Sequence, residues 1–306
     1  MTIASQHVVI IGGTSGIGLE TARRLAGDGY RVTIAGRNED RVAAAREALD
    51  GKVEARPLDA KDKLRVSAFF KAVGPLDHLV LAQGSGRGMG PFATLDLAEV
   101  RGGFEDKVLS HLSCAQTALP TIRKDGSITF ISAVSAEMAA PGTAGLAAVN
   151  GALAVVTPVL ATELRPLRVN AVTPGVVDTP WWDFMDPEQR RDAFAGFARR
   201  TPVGRVGAPA DIANAIAFLI DNDFVTGHPE MRRRIAARGL ARRVAYFLLS
   251  PPEAGRGEDA RNGPQPTRPR LARSKLSPNI SKEVWFQCQA FPRIPLVVLW
   301  IFKRLQ

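Results

Sequence analysis

The residues with the clearest chemical use lie near the start of the chain. Gly12-Gly13-Thr14-Ser15-Gly16-Ile17-Gly18 ends an apolar run and leads into a helical pattern. Glycines in such a turn let backbone amides approach a diphosphate closely, and the helix N-terminus adds partial positive charge. A glycine cluster alone is a weak sign, but one set between a first strand and a first helix points to a dinucleotide. The bland alternative is a glycine-rich turn with no ligand. The second apolar run ends at Ala35-Gly36-Arg37-Asn38. A site for an unphosphorylated ribose usually has a carboxylate there for the 2′-hydroxyl. Arg37 instead presents a guanidinium, suited to a 2′-phosphate and to stacking on adenine. The reading is NADP(H) in preference to NAD(H), against the alternative of a solvated arginine at a helix start. Asp59, after the third apolar run, is placed to meet the adenine amino group. No metal-ligand set is read.

These groups need a scaffold, and the patterning supplies one. Residues 7–11, 31–35, 53–56, 78–82, 127–132 and 169–172 read as strands, most of them rich in β-branched residues. They are near-continuously apolar, as strands buried on both faces must be. Helical patterns at 19–26, 40–49 and 63–73 lie between the early strands. The alternation predicts an α/β fold, a Rossmann-type doubly wound parallel sheet with helices on both faces. After Pro174, Trp181, Trp182, Phe184, Met185, Phe194 and Phe197 cluster in a segment that begins as a loop. They read either as core or as a lid over a pocket. Residues 210–220 resume an amphipathic helix.

On these motifs the chain resembles the short-chain dehydrogenase/reductase family, over about residues 7–227. The glycine-rich turn matches, with Ile11 where a threonine is usual. Leu58-Asp59-Ala60 matches the adenine-site turn, and the 77–84 segment, including Ala82 and Gly84, falls where the Asn-Asn-Ala-Gly motif belongs. The segment 168–175, with Pro174 and Gly175, and then Val177-Asp178-Thr179 match the part that lines the nicotinamide. Residues 202–205 through 211–213 match the motif before the last helix. The resemblance implies a nicotinamide cofactor, carbonyl/alcohol redox chemistry on a small-molecule substrate, and a homo-oligomer. It implies cofactor contacts from Gly12, Thr14, Ser15, Gly16, Ile17, Gly18, Arg37, Asn38, Asp59, Ala60, Ala82, Gly84, Pro174, Gly175, Val177 and Thr179.

The catalytic positions depart from that pattern. The family typically uses a serine, a tyrosine, a lysine and an asparagine, and here Ala133, Leu146, Asn150 and Lys107 align with them. The chain has only two tyrosines, Tyr30 and Tyr246, and no lysine between Lys124 and Lys275. A Tyr-x-x-x-Lys motif is therefore impossible, and general acid catalysis normally supplies about 10²–10⁴-fold in rate. The candidate substitutes are Ser132, beside the serine position, Lys107 as an electrostatic donor, and Asn150 as a ribose partner. Lys107 reads equally well as a solvated helix lysine, and His111, one turn on, as structural. Ser135 and Thr143 are hydroxyls without an obvious base. Pro158 is expected to kink the helix after Asn150, which in the family builds the dimer interface.

The net charge of +10 is unevenly placed. Residues 228–306 hold 16 basic against 5 acidic residues, leaving 24 and 25 in the rest. The body is neutral and needs no polyanion. Two cysteines are too few for a disulfide framework and fit a cytoplasmic protein. The N-terminus lacks the basic region of a signal peptide, and no window has the apolar length of a membrane span. The expected division is a dinucleotide-binding domain at 1–227 and a basic Pro/Arg-rich extension at 228–306, largely disordered by composition, with a possible helix at 239–249. After Gly227 the family's last strand is missing or replaced, as a frameshift or fusion would cause. The rival reading is a genuine extension for nucleic acid or acidic lipid, which no accompanying motif supports. Three functional readings follow: an NADP(H)-dependent oxidoreductase with a non-standard site, a catalytically silent NADP(H)-binding sensor or partner subunit, and a damaged gene product.

Overall fold

The computed structural model describes residues 6–227. The expectations for 228–306 lie outside the described residues. Within them, six parallel strands form one sheet in the order β3-β2-β1-β4-β5-β6. They are β1 (His7–Ile11), β2 (Arg31–Gly36), β3 (Glu54–Pro57), β4 (Leu76–Leu81), β5 (Ile122–Ile131) and β6 (Arg168–Val172). The chain winds outward from β1 to β3, then crosses back to place β4 on the other side of β1. The crevice at that reversal is where ligands bind in open parallel sheets.

Alternation along β1 makes the two layers. Val9 and Ile11 point into one core with Phe70, Leu79, Phe130 and Val169. Val8 and Ile10 point into the other with Leu25, Ile34, Val80 and Ile216. All twelve are essentially inaccessible to solvent, and each such side chain contributes about 1.5–3 kcal/mol. The first layer is covered by α3 (Lys63–Val73), α5 (Ser110–Ala118) and α6 (Ala144–Glu163), the second by α1 (Gly16–Gly27), α2 (Glu39–Ala48) and α8 (Pro209–Asp221). Side-chain caps start several helices where the sequence signals them: Asn38 Oδ1 accepts from the Arg41 amide, and Asp62 Oδ1 from those of Leu64 and Arg65.

Some expectations shift. β5 begins five residues before its apolar run, because Ile122 already pairs with Leu76 ahead of a register shift. The polar stretch Arg123-Lys124-Asp125-Gly126 hid that start. Gly126 fits there because a Cβ would lie 1.9 Å from the Asp77 carbonyl oxygen. Helix α6 runs unbroken through Pro158. It is also long and apolar enough by composition to cross a membrane, contrary to the sequence reading. Its abundant alanines and valines produce that composition, while Leu146, Val149, Leu153 and Ala161 are buried inside the fold. The aromatic segment does not join the core: α7 (Pro187–Arg200) buries no residue.

One irregularity was not legible in the pattern. Between α4 (Leu97–Gly103) and α5, residues Phe104–Leu109 wind as a π-helical turn. Such turns recur at functional sites because they re-aim a side chain. This one carries Lys107.

Candidate functional site

A cleft of about 590 Å³ opens at the C-terminal ends of the strands. Its floor is the glycine turn. Gly12 takes φ +85°, and a Cβ on it would lie 2.7 Å from the Ala82 carbonyl carbon and the Gln83 nitrogen. Gly12 and Gly13 both donate to the Ala35 carbonyl, locking the turn to β2. A Cβ on Gly18 would lie 2.1 Å from the Gly12 oxygen, so only glycine lets α1 approach β1 this closely. Ser15 caps α1 without a side-chain hydrogen bond, and no acidic residue stands in its first turn. The helix N-terminus therefore keeps its affinity for an anion.

At one rim, Arg37 and Arg41 line the cleft, and neither guanidinium forms an ion pair or hydrogen bond among the described residues. Arg41 was missed in the sequence, although it follows Arg37 by one helical turn. Asn38 spends its side-chain oxygen on capping α2. Asp59 accepts from the Lys61 amide at 3.1 Å, and Ala60 is buried beside it. The cleft also takes in Thr14, Ser15, Gly16, Ile17, Ala82, Gly84, Pro174, Gly175, Val177 and Thr179. Thr179 closes on the glycine turn, its methyl 3.3 Å from where a Gly16 Cβ would stand. These residues, far apart in sequence, surround one space.

The catalytic candidates also meet. Lys107 is buried rather than solvated. Its Nζ donates to Asn150 Oδ1 at 2.7 Å and to the Ser132 carbonyl at 3.3 Å. Among the described residues no carboxylate pairs with it, and burial pulls its pKa down to about 8. Asn150 passes the contact on, its Nδ2 donating to Ser135 Oγ and to the Leu146 carbonyl, both at 3.0 Å. Ser132 Oγ is committed to the Asn150 carbonyl at 2.8 Å. The side chain at the end of this chain, and nearest to use by a ligand, is Ser135. Its signal in the sequence was only that of a hydroxyl without a base. His111 Nε2 lies 3.1 Å from the Gln83 carbonyl oxygen. Burial, and then the Lys107 charge, push its pKa to about 3, so it is a neutral structural ring. Ala133 and Leu146 place no ionisable group in the cleft.

The aromatic segment forms one wall. Trp181 packs edge-on against Trp182 at 4.7 Å and Phe184 at 5.4 Å between ring centroids. Trp182 donates its indole N–H to the Val177 carbonyl at 3.0 Å. Arg190 ties the wall down: it pairs with Asp178 and, at 2.9 Å, with Asp183, donates to the Thr179 carbonyl, and lies over Phe194.

The fold and this cleft together define a Rossmann-type dinucleotide-binding protein. A family model described as "Enoyl-(Acyl carrier protein) reductase" matches residues 12–230. A short-chain dehydrogenase/reductase of Stachybotrys chlorohalonatus is 33% identical over 74% of this chain and 94% of its own length. The 3-oxoacyl-(acyl-carrier-protein) reductase of Thermotoga maritima is 30% identical over 74% of this chain and 96% of its own. Among solved structures, a small-chain dehydrogenase in complex with NADPH aligns with a TM-score of 0.64 at 30% identity, covering 73% of this chain and 94% of that one. An actinorhodin polyketide ketoreductase with NADPH aligns at 0.68 and 27%, covering 74% and 95%. The chain belongs to the short-chain dehydrogenase/reductase family.

Proposed function

We propose that this chain is an NADP(H)-dependent oxidoreductase acting on a small carbonyl or alcohol, with a non-standard catalytic site. The observation that carries the reading is the pairing of an uncapped glycine-turn helix with two unpaired guanidiniums at the rim of one cleft. NADPH-bound relatives of the same fold support it. The α1 amides and the glycine turn would hold the diphosphate, Arg37 and Arg41 the 2′-phosphate, Asp59 and Ala60 the adenine, and Thr179 the carboxamide. When bound, the nicotinamide supplies or accepts a hydride.

The chain's own residues do the rest. Segment 181–197 acts as a lid that excludes water and orients the substrate. Lys107 sets a positive potential beneath Asn150, and Ser135 presents the polar end of that network to the cleft. In a water-poor site such fixed dipoles stabilise developing negative charge. A silent cofactor-binding protein is the second reading, favoured by Ala133 and Leu146 at the usual acid positions. Cytoplasmic location and a homo-oligomer belong to the same proposal. The test is a fluorescence titration with NADPH and NADH, followed by turnover on a carbonyl panel. Tight NADPH binding with turnover supports the enzyme, binding without turnover supports the silent protein, and no binding removes both.

A further inference from the structure

The walls of the cleft bear on what it accepts. One wall is apolar and aromatic. Trp181 lies along the turn at residues 84–86, its Nε1 3.6 Å from where a Gly86 Cβ would stand. Phe184, Met185, Met138 and Leu146 line the same space. Trp181 is 37% exposed, so its ring offers free area to a partner in the cleft. Aromatic rings prefer offset or edge-on ring partners over aliphatic ones of equal area.

The other wall offers little acid. Lys107 Nζ is sealed under Asn150, Ser132 Oγ is bonded inward, and Ser135 is a hydroxyl of ordinary weak acidity. Reduction of an unactivated ketone forms an alkoxide about as basic as hydroxide, whose parent water titrates near 15.7. Without a proton donor that charge is costly. Reduction of a quinone forms a phenolate-type anion, whose parent phenol titrates at about 10, as tyrosine does. That product leaves as a hydroquinone monoanion and needs no acid in the transition state.

We propose that the acceptor is a planar conjugated dicarbonyl, a quinone, stacked against Trp181. This inference rests on the NADP(H) reading above. The quinone takes up a hydride, two electrons and one proton, from the reduced nicotinamide, whose ring is oxidised to the pyridinium. The hydride's hydrogen ends on one oxygen as a hydroxyl, the other carbonyl becomes a phenolate oxygen, the ring becomes aromatic, and water protonates the phenolate to give the hydroquinone and hydroxide.

Two bicyclic probes with the same number of ring carbons differ in planarity and in the basicity of the product: para-naphthoquinone and tetralone, a ketone whose second ring is saturated and puckered. Binding is read without cofactor, as quenching of tryptophan fluorescence by naphthoquinone, in the full chain and in Trp181→Ala and Trp181→Phe. NADPH binding is titrated separately in each. Trp181→Ala is expected to weaken quinone binding at least about 10-fold, and Trp181→Phe to restore most of it, as a stacking platform requires. With NADPH, and after subtracting the uncatalysed rate, kcat/KM for naphthoquinone is expected to exceed that for tetralone by at least about 100-fold, the lower end of what a general acid supplies. Equal or faster turnover of tetralone overturns the proposal. So does NADPH binding with neither quenching nor quinone turnover. Failure to bind NADPH, with quenching intact, overturns the redox step and the cofactor reading together and leaves only a quinone-binding cleft.

Discussion

At the scale of single residues, charge decides. Among the described residues Arg37 and Arg41 have no ion-pair or hydrogen-bond partner for their guanidiniums, and both line the cleft. A charge-assisted bond to phosphate is worth about 1.5–3 kcal/mol, so Arg37→Ala should weaken NADPH binding about 10–100-fold and leave NADH nearly unchanged. Equal losses for both cofactors would assign the residue to general surface charge. Lys107 makes a different prediction. Its pKa falls from 10.5 to about 8 on folding because burial disfavours the ammonium. The unfolded chain then binds the extra proton between those values, so stability rises with pH across that window and is lowered by on the order of 3 kcal/mol below it. Lys107→Met should flatten the rise in urea midpoint between about pH 8 and pH 10. A slope unchanged in that variant would mean the amine is not the titrating group. The placement of Arg37, Asp59 and the glycines around one cleft was legible because each is set by its own backbone turn. Arg41, Ser135 and the burial of Lys107 were not legible, because they depend on a helix phase and a π-helical turn that residue types do not announce.

At the scale of elements, the site depends on two close approaches. The glycine turn admits no Cβ at Gly12, where the backbone is left-handed and Ala82 lies within 2.7 Å. Gly12→Ala should therefore lower stability by about 2 kcal/mol or more and abolish cofactor binding together with it, read by urea titration and NADPH fluorescence. The aromatic wall rests on Arg190, which holds Asp178, Asp183 and the Thr179 carbonyl from an exposed helix. These ion pairs face solvent, so Arg190→Gln should cost less than about 1 kcal/mol in stability. Its effect should fall on substrate KM, raised about 10-fold, with NADPH affinity changed little. An unchanged KM would free the segment from any positioning role. Most of the strands were readable because burial on both faces leaves a continuous apolar run, whereas the edge strand β3, Glu54–Pro57, is part polar and part exposed. β5 started earlier than its apolar run because pairing with β4, and not side-chain type, sets its first residues. The lid was ambiguous because aromatics at helical spacing serve a core and a cleft wall equally well, and only burial separates them.

At the scale of the whole molecule, the two ends of the sheet carry opposite chemistry. The strand C-termini open on the cleft, while the N-terminal ends hold buried histidines. His7 lies between the Pro75 carbonyl and Thr33 Oγ1, and His78 beside Ser127 Oγ and Gln6. Burial holds His7 below its usual pKa of 6.5. Burial, and then the Arg168 charge, hold His78 at about 4. Each is neutral when folded and protonates more readily when unfolded. The His78 contribution is complete above pH 6.5 and is lost as pH falls from there toward 4, at up to about 1.4 kcal/mol per pH unit, and His7 acts in the same direction. The urea midpoint should therefore fall between about pH 6.5 and pH 5, where few carboxylates have yet protonated. His78→Gln, which can keep the hydrogen bond to Ser127, should shed part of that slope. Saturating NADPH should raise the midpoint throughout by the ligand's mass-action term. Because the cofactor cleft and these histidines sit at opposite ends of the strands, the curves with and without NADPH should differ over this interval only by the titration of the cofactor's own 2′-phosphate, near about pH 6. Convergence beyond that would mean that protonation at the base of the sheet reaches the glycine turn, and that the two ends do not act independently.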